Sequence, residues 1–515
     1  MKYKYQAKTL DLSSGGKKTV VLHRENAEEM NLSETDRVEV TKNGESRIAI
    51  VELTEEYLEK GTVGALSDLT REMDLEDGEE VTLTPMEKPK SVRYIKKKLN
   101  GEELKENETR EIIEDVIRNK LSDIEMTAYI TGLYTRGMSE DEAVDFTKSI
   151  VETGDTLKPC SGHVVDKHCI GGVPGNRTTM LIVPIVAAAG LKIPKTSSRS
   201  ITSPAGTADA MEVLAPVSHS IDKINEVVEE TNGCITWGGR VNLASADDKL
   251  IRVREPLDID PKGVLLGSIL GKKKAAGAEH VLIDVPIGKG AKIQGLEEAE
   301  KLSGEFMSLG ERLNMDVHCI ITPGYDPVGS AVGPALEARE TLKILNGEKV
   351  SEDLREKSLK MAGILLEIGE KVKKGQGYHK AKQILNSGKA KEKMQQIIGE
   401  QGGNPNIEPE DIDLGEHSEE INADKEGRIH YLHTNDIAEI GKIAGAPKDK
   451  GAGLYLEVEK GDNIKKGDKL MTIYAESKRK LESAVKEYNE REPLEMEKVI
   501  LEEYTPQENP EVKEL

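Results

Sequence analysis

From residue 163 onward the sequence repeats one local pattern: a short apolar stretch, a glycine- or hydroxyl-rich turn, and then helical or turn residues. The apolar stretches lie at residues 163–168, 193–197 and 281–287. This alternation is typical of α/β proteins, in which helices cover a mostly parallel sheet and loops gather at the carboxyl ends of the strands. We therefore predict a large α/β lobe over residues 161–400, with ligand-binding loops at that edge of the sheet.

The regions around this lobe have different patterns. Residues 1–90 contain short alternating stretches around turns such as Asn43-Gly44, which indicates a β-rich, barrel-like domain. Residues 91–160 show helical spacing, and we predict that about residues 255–280 complete the same helical lobe. Residues 401–515 begin with a linker rich in Gly, Asn and acids, and continue with strand and helix patterns that predict a smaller α+β lobe. The predicted fold class is α/β with these additional domains.

Composition excludes several classes of function. Of 515 residues, 72 are Lys or Arg and 94 are Asp or Glu, so the net charge is -22, and only 3% are aromatic. Such a chain lacks the basic surface and stacking side chains of a nucleic-acid-binding protein. The longest apolar run, residues 180–191, contains Pro184 and is shorter than the roughly 20 residues that span a bilayer. The chain starts without an apolar leader, so we expect a cytoplasmic protein with no membrane partner.

The cysteine pattern predicts neither disulfides nor a metal centre. Four cysteines, at positions 160, 169, 234 and 319, are too few and too scattered for a disulfide framework. Two of them follow a histidine, in His168-Cys169 and His318-Cys319, but neighbours along a strand point to opposite faces. No ligand spacing typical of a zinc site occurs. We therefore expect small buried thiols within the sheet, no metal and no cofactor.

Two loops carry the residue types that bind phosphate and sugar groups. In the glycine loop, Gly171-Gly-Val-Pro-Gly175, backbone N–H groups can approach an anion ahead of a helix. The hydroxyl loop, residues 196–203, holds six hydroxyl side chains and Arg199. Hydroxyls and a guanidinium suit a ligand with ribose hydroxyls and a phosphate. Each loop alone is compatible with an ordinary polar turn, but two such loops on neighbouring strands favour a binding site.

Long motifs through both loops resemble the type II nucleoside phosphorylases. The resemblance is carried by Asp166-Lys-His-x-x-Gly-Gly172 and Ser198-Arg-x-Ile-x-x-x-x-Gly-Thr-x-Asp-x-Met-Glu212. It continues in Gly267-Ser-Ile-Leu-x-Lys272 and in residues 326–340, and covers about residues 92–505. This family contains the thymidine and pyrimidine-nucleoside phosphorylases and is structurally related to anthranilate phosphoribosyltransferase. The resemblance implies a helical lobe, an α/β lobe and a phosphorolytic enzyme, a pentosyltransferase.

Departures from the thymidine phosphorylase pattern indicate one branch of the family. Cys169 replaces a serine, Pro174 lies within the glycine loop, and the hydroxyl loop replaces Gly-rich residues and a histidine. About ninety residues precede the shared core. These features resemble the branch that uses inorganic phosphate to split nucleoside 5′-monophosphates into ribose 1,5-bisphosphate and free base. We expect AMP as a substrate, and also CMP and UMP.

The resemblance also implies roles for individual residues. It makes Asp260 the proton donor to the departing base. It implies substrate contacts from Gly172, Ser198, Arg199, Ser200, Ile201, Thr202, Ser203, Thr207, Ser268 and Lys292. With less weight, Lys167, Thr179 and Thr207 match contacts to inorganic phosphate. His168, Arg254 and Lys272 match positions near the base.

Local patterns give these residues independent or competing interpretations. Ser268 and Lys272 are four apart in a predicted helix and therefore share one face. Asp260 precedes Pro261, the pattern of a helix cap followed by the first helical residue, so a purely structural cap is the alternative for Asp260. For Lys292, the alternative is an ordinary solvated lysine.

Three other functions stay open on the sequence alone. One is a pyrimidine-nucleoside phosphorylase acting on uncharged nucleosides. Another is a phosphoribosyltransferase, which would need Mg²⁺ bound to pyrophosphate, and we find no acidic pair placed for that ion. The third is a non-catalytic nucleotide-binding protein. As partners we expect a nucleoside 5′-monophosphate, inorganic phosphate and further copies of the chain, in a homodimer or a larger homo-oligomer.

Overall fold

A computed structural model describes residues 1–158, 163–200, 203–241, 243 and 245–497 of the chain. The contacts within it divide the chain into two compact units. The first consists of Met1–Asp155 and Leu243–Lys272, and the second holds the remainder. The predicted barrel-like and helical domains therefore share one unit. The limits predicted for the four domains, 1–90, 91–160 with 255–280, 161–400 and 401–515, stay predictions.

The strands and helices follow in chain order. The strands are β1 (Tyr3–Leu10), β2 (Thr19–His23), β3 (Arg37–Lys42), β4 (Glu45–Thr54), β5 (Thr62–Leu66), β6 (Glu80–Met86), β7 (Val165–Cys169), β8 (Ile193–Ser197), β9 (Gly233–Trp237), β10 (His280–Ile287), β11 (Asp316–Pro323), β12 (Ala331–Val332), β13 (His417–Asn422), β14 (Gly427–Leu432), β15 (Gly453–Leu456), β16 (Asn463–Ile464), β17 (Lys469–Ala475) and β18 (Leu494–Glu497). The α-helices are α1 (Arg24–Glu29), α2 (Ser67–Met73), α3 (Ser91–Leu99), α4 (Glu106–Ile117), α5 (Asp123–Arg136), α6 (Glu140–Glu152), α7 (Thr178–Ala188), α8 (Thr207–Met211), α9 (Ile221–Thr231), α10 (Ser245–Arg254), α11 (Lys262–Ala275), α12 (Leu296–Arg312), α13 (Pro334–Leu345), α14 (Glu352–Ile368), α15 (Gly377–Asn386), α16 (Lys389–Glu400), α17 (Thr434–Ala444) and α18 (Lys478–Arg491).

The first unit begins with a closed β-barrel in the strand order β1-β5-β2-β4-β3-β6. Asn43 and Gly44 join β3 to β4 with φ of 50° and 87°, the positive values that a two-residue hairpin turn requires. Val38 and Val40 alternate into the barrel core, where both are buried. The hairpin and the barrel predicted from the alternating pattern are therefore confirmed.

Helices α3 to α6 and α10 form a bundle in the same unit, together with the part of α11 that belongs to it. Ser122 and Ser139 each accept a hydrogen bond from the backbone N–H of a glutamate three residues on, and these capping boxes start α5 and α6. Ile112, Phe146 and Val264 belong to one buried apolar cluster. The bundle core therefore joins segments that are far apart in sequence.

Polar contacts of two arginines attach the barrel to the bundle. Arg37, only 3% exposed, is paired with Glu125 and donates to the carbonyl of Lys120. Arg252 donates to the carbonyl of Gly15 at 2.5 Å. The barrel is therefore held against the helices by arginines whose hydrogen-bonding partners lie on the opposite element.

The second unit is built on parallel strands. The three-stranded sheet has the order β11-β10-β7, and the β8-β9 pair continues beside β7 through a parallel bridge between Val164 and Lys192. Helix α7 packs in the centre of the apolar core, and all of its residues from Thr178 to Ala187 are buried. This explains the long apolar run in the sequence, since a helix that is apolar all round is buried. Within the described ranges, no helix has both the length and the apolar character needed to cross a bilayer.

The carboxyl-terminal part of the second unit contains two antiparallel sheets with α17 and α18. Their strand orders are β12-β15-β17-β13 and β16-β14-β18. Strand β12 belongs to the segment that precedes α13, yet it pairs with β15, so this part is hydrogen-bonded directly to the α/β core. The predicted fold class, an α/β lobe with a helical lobe, a β-rich amino-terminal domain and a carboxyl-terminal α+β lobe, is confirmed.

Candidate functional site

The glycine loop and the loop that carries Lys292 are in direct contact. They follow β7 and β10, which are parallel neighbours, so both emerge at the same edge of the sheet. Gly172 has φ of 92°, and a Cβ placed on it would lie 2.7 Å from the backbone nitrogen of Lys292. Only glycine allows this approach. The structure therefore brings together two of the predicted substrate contacts, Gly172 and Lys292.

The carboxyl-terminal sheets support the Lys292 loop from its other side. Tyr431 on β14 donates a hydrogen bond to the carbonyl of Lys289 at 3.2 Å, and the Lys289 amine lies over the Tyr431 ring. Gly290, with φ of 96°, packs so closely on Thr434 that an added Cβ would lie 2.5 Å from its hydroxyl oxygen. Tyr431 and Thr434 carry no local sequence signal for this contact, because they are distant in the chain from the loop that they hold.

Arg199 in the hydroxyl loop is held by carboxylates of the chain itself. Its guanidinium forms a bidentate ion pair with Glu212 and a further hydrogen bond of 3.2 Å to Asp209. The guanidinium carbon also lies over the Trp237 ring, 4.9 Å from the ring centroid. The Arg199 hydrogen bond is the main reason why the pKa of Glu212 is lowered to about 2. Lys450 adds a second cation, 2.7 Å from Glu212. Arg199 therefore shapes the loop in this structure.

The rest of the hydroxyl loop folds around Asp209. Its carboxylate accepts hydrogen bonds from the backbone nitrogens of Ser200, at 2.7 Å, and Gly206, at 2.9 Å. Ser200 and Ser203 bond within the loop, and Thr207 is the first residue of α8. Ile201 and Thr202 lie outside the described residues.

Four lysines, three of them buried, cluster around the carboxylates of the parallel sheet. Among the described residues, Asp166 pairs with Lys195 and Lys273, and Asp284 pairs with Lys357. Lys167 donates to the Thr178 hydroxyl at 2.8 Å. Burial lowers the pKa of Lys167 and, more strongly, that of Lys195. Three amines therefore share two carboxylates, and Lys167 is bonded to a hydroxyl. An anion such as inorganic phosphate would favour the charged forms of these lysines.

Cys169 lies beside these lysines, and its surroundings favour the protonated thiol. Burial raises the pKa of its thiol to about 11, so the thiol is protonated at neutral pH. The Asn176 side-chain amide lies 3.3 Å from its sulfur. Cys169, Cys234 and Cys319 lie within strands, as predicted, but of these three only Cys234 is buried and the other two are partly exposed. Cys160 lies outside the described residues.

Ser268 and Lys272 converge on one buried carboxylate in the first unit. The Ser268 hydroxyl donates to Asp247 at 2.6 Å, and the Lys272 amine lies 2.7 Å from the same carboxylate oxygen. Burial alone would lower the pKa of Lys272, but Asp247 and Asp248 together raise it. The prediction that Ser268 and Lys272 share a helix face is confirmed. Asp247, which has no exposed surface, was missed because its partners lie on another helix.

Asp260 and Arg254 form an ion pair in the same unit. Asp260 lies two residues before α11, which begins at Lys262, and the carbonyl of Pro261 accepts the first hydrogen bond of that helix. Two residues that the resemblance placed at the base are therefore in contact with each other. Asp260, Arg254, Ser268 and Lys272 belong to the first unit, whereas Gly172, the hydroxyl loop, Thr207 and Lys292 belong to the second.

Family models match three segments of the chain. A glycosyl transferase family helical bundle domain matches residues 92–154, and the a/b domain of the same family matches residues 161–391. A pyrimidine nucleoside phosphorylase C-terminal domain matches residues 428–494. The first two of these models correspond to the bundle and to the parallel sheet with its helices.

Several relatives match almost the whole chain, including the barrel. AMP phosphorylase 1 of Archaeoglobus fulgidus is 46% identical over 489 residues, which are 95% of this chain and 97% of the relative. The AMP phosphorylase of Methanococcoides burtonii is 45% identical over 95% of this chain and 96% of its own length. That of Thermococcus kodakarensis is 45% identical over 97% of this chain and 99% of its own length. The chain belongs to the AMP phosphorylase family.

A solved structure supports the same fold. Anthranilate phosphoribosyltransferase from Thermus thermophilus aligns with a TM-score of 0.51 at 20% identity, over 60% of this chain and 98% of its own. The aligned part of the chain therefore has the helical and α/β architecture that the motifs implied. The resemblance to type II nucleoside phosphorylases, stated from the motifs, is confirmed.

Proposed function

We propose that this protein phosphorolyses nucleoside 5′-monophosphates, with AMP as a substrate. The observation that carries the proposal is the match to AMP phosphorylases over 95% of the chain, because it includes the barrel that precedes the shared core. Lys167 supports it, because this lysine lies on β7, the strand that leads into the glycine loop, and an amine there suits a phosphate ligand. CMP and UMP are further expected substrates.

The proposed reaction exchanges one bond at the anomeric carbon. An oxygen of inorganic phosphate bonds to C1′ as the bond from C1′ to the base nitrogen breaks, and the electron pair leaves with the base. The configuration inverts, and the products are ribose 1,5-bisphosphate and free base. The base takes up one proton, which Asp260 donates, and general acid catalysis of this kind contributes roughly 10²–10⁴-fold.

The other residues hold the two phosphates and the base. Lys167 and Thr179 bind the attacking phosphate. Gly172, the hydroxyl loop, Thr207 and Lys292 bind the nucleotide. Ser268 and Lys272 stabilise the departing base, whose developing negative charge is favoured by a fixed ammonium group. No metal or organic cofactor takes part in this proposal.

Release of free base separates the proposal from its alternatives. Each of AMP, CMP, UMP, adenosine and thymidine is incubated with the protein in a separate reaction. One series contains inorganic phosphate, with and without a chelator, and a second series contains pyrophosphate and Mg²⁺ in place of phosphate. We expect phosphate-dependent release of adenine from AMP, unaffected by the chelator. Release from nucleosides alone would favour a nucleoside phosphorylase. Release that requires Mg²⁺ and pyrophosphate would favour a phosphoribosyltransferase, and binding without release a non-catalytic protein.

We also propose that the protein acts in the cytoplasm as a homodimer or larger homo-oligomer. The family resemblance supports self-association, and a net charge of -22 makes association stronger as salt screens the repulsion between copies. Light scattering across a salt series measures this. A monodisperse monomer at every concentration and salt would contradict it.

A further inference from the structure

A cluster of imidazoles and carboxylates lies at the amino ends of three parallel strands. His163 precedes β7, Glu279 and His280 stand at the start of β10, and Asp316 begins β11. The glycine loop and Lys292 lie at the other end of these strands, because they follow the carboxyl ends of β7 and β10. The cluster is therefore separate from the proposed substrate contacts.

The sheet itself sets the spacing of these residues. His280 pairs in parallel register with Val165 on one side and with Asp316 on the other. Backbone hydrogen bonds run from the Glu279 nitrogen to the Val164 carbonyl, at 2.9 Å, and from the Asp316 nitrogen to the Glu279 carbonyl, at 2.8 Å. The backbone that carries the side chains is thus part of the sheet ladder.

The side chains already face one another. One ligand atom from each of His163, Glu279 and His280 lies within 4.8 Å of the other two. The Glu279 carboxylate is 3.4 Å from Nδ1 of His163, and the two imidazole centroids are 5.8 Å apart. Since zinc–ligand bonds are about 2.0–2.2 Å long, closing around one ion requires a small rotation of side chains that are partly exposed.

Asp316 supplies the outer support that metal-binding histidines use. Its carboxylate lies 3.0 Å from Nδ1 of His280 and 3.2 Å from Nε2 of His318. A carboxylate on one ring nitrogen fixes the tautomer and leaves the other nitrogen free to bind metal. His280 is the least exposed of the three ligands, with 18% of its side chain accessible.

We propose that His163, Glu279 and His280 bind a zinc ion, with Asp316 orienting His280 and water completing the shell. Two imidazoles and one carboxylate form a donor set that suits zinc and leaves a position open for water. The ion would link the amino ends of β7 and β10, so its role is to stabilise the sheet. No zinc-binding motif in the sequence indicates this site, because the ligands come from separate segments of the chain.

The test is a calorimetric titration of the full-length, chelator-treated protein with zinc chloride in phosphate-free buffer. We expect one saturable site and a rise in melting temperature with zinc. His280→Ala and Glu279→Gln should each weaken binding more than tenfold, and Asp316→Asn by roughly tenfold, the lower end of the range for outer-shell partners. His379→Ala, which alters an exposed histidine outside the cluster, is the matched control and should bind like the wild type.

Cobalt used in place of zinc identifies the donor atoms. Nitrogen and oxygen ligands give visible bands without the thiolate charge-transfer band that a cysteine ligand would add, so binding at Cys169 or Cys319 is distinguished. No saturable binding, equal affinity in all variants, or a thiolate band would overturn the proposal. Phosphorolysis of AMP is measured separately, and its absence would leave the zinc titration unaffected.

Discussion

Asp260 has two interpretations that make opposite forecasts. The predicted helix cap is not its structural role, because α11 begins at Lys262 and the Pro261 carbonyl accepts the first helical hydrogen bond. The structural interpretation is instead the ion pair with Arg254. Asparagine keeps the shape and a hydrogen-bond acceptor but cannot donate an acidic proton. If Asp260 is the general acid, Asp260→Asn should lower turnover of AMP by about 10²–10⁴-fold with little change in melting temperature. The loss should be larger for AMP than for UMP, because purine departure depends more on ring protonation. Steady-state kinetics with both nucleotides, beside thermal unfolding, measures this.

Near-wild-type turnover of AMP by the Asp260→Asn variant would show that Asp260 is not the general acid and has a structural role only. Arg254→Lys is a useful companion, because lysine keeps the charge beside Asp260 but loses the planar guanidinium.

Asp247 positions Ser268 and Lys272 and does so from a fully buried site. Replacing it with asparagine removes the charge that holds the Lys272 amine, and hydrogen bonds to charged groups are worth roughly 1.5–3 kcal/mol each. We expect Asp247→Asn to lower kcat for AMP at least tenfold. Asp248→Asn is the matched control, because Asp248 lies on the same helix at 3.7 Å from Lys272 and is 40% exposed.

Kinetics separates positioning from stability. A loss of kcat that persists well below the melting temperature of the Asp247→Asn variant supports positioning. Equal kinetics for the Asp247→Asn and Asp248→Asn variants would contradict it.

At the scale of elements, the glycine loop offers a paired test. Gly171 and Gly172 both have positive φ, at 95° and 92°, so alanine at either position costs about 1–2 kcal/mol of backbone strain. At Gly171 the added Cβ meets open space, whereas at Gly172 it collides with the Lys292 backbone. We expect Gly172→Ala to lower AMP affinity far more than Gly171→Ala does. Similar affinities in the two variants would show that the contact with the Lys292 loop is unimportant for substrate.

The hydroxyl loop raises a second question, whether Arg199 binds the 5′-phosphate or shapes the loop. If Arg199 binds the 5′-phosphate, Arg199→Ala removes a hydrogen bond to a charged group and should weaken AMP binding about tenfold to a hundredfold. Any turnover of adenosine, which has no 5′-phosphate, should be affected less. Glu212→Gln is the comparison, because it releases the guanidinium from its ion pair but keeps the arginine. Substrate binding by Arg199 predicts equal or tighter AMP binding in Glu212→Gln. Parallel losses for AMP and adenosine in both variants would assign Arg199 to loop shape.

Across the whole molecule, one buried carboxyl makes stability depend on pH. Burial raises the pKa of Glu340 from 4.5 to about 7, although Ser351 and the Ser330 nitrogen both bond to its carboxylate. The folded protein therefore holds this proton up to higher pH than the unfolded chain, so stability falls as pH rises from about 4.5 to 7. A shift of this size corresponds to roughly 3 kcal/mol.

Glu340→Gln removes the titration and keeps a hydrogen-bond acceptor. Its melting temperature relative to the wild type should rise between about pH 5 and pH 8. Glu352→Gln changes a largely exposed carboxylate and serves as the control. A pH-independent difference between wild type and Glu340→Gln would contradict the prediction.

Local patterns in the sequence were sufficient to predict the elements and to place the glycine loop and the Lys292 loop after parallel strands. Residues 193–197 were predicted as an apolar strand and form β8, and Asn43-Gly44 was predicted as a turn and joins β3 to β4. Such features depend on periodicity and turn residues within a short stretch, which the chain carries locally. The family motifs were recognisable for the same reason, since each is a continuous segment.

Tertiary structure alone decided which side chains meet. Glu212 beside Arg199, Asp247 beneath Lys272, and Asp316 beside His280 come from separate elements. Each pairing depends on strand register or helix packing, and a one-residue slip in register would turn a side chain to the opposite face of the sheet. Sequence patterns therefore determined the elements and the chemical groups available in this protein, and long-range packing determined which of those groups act together.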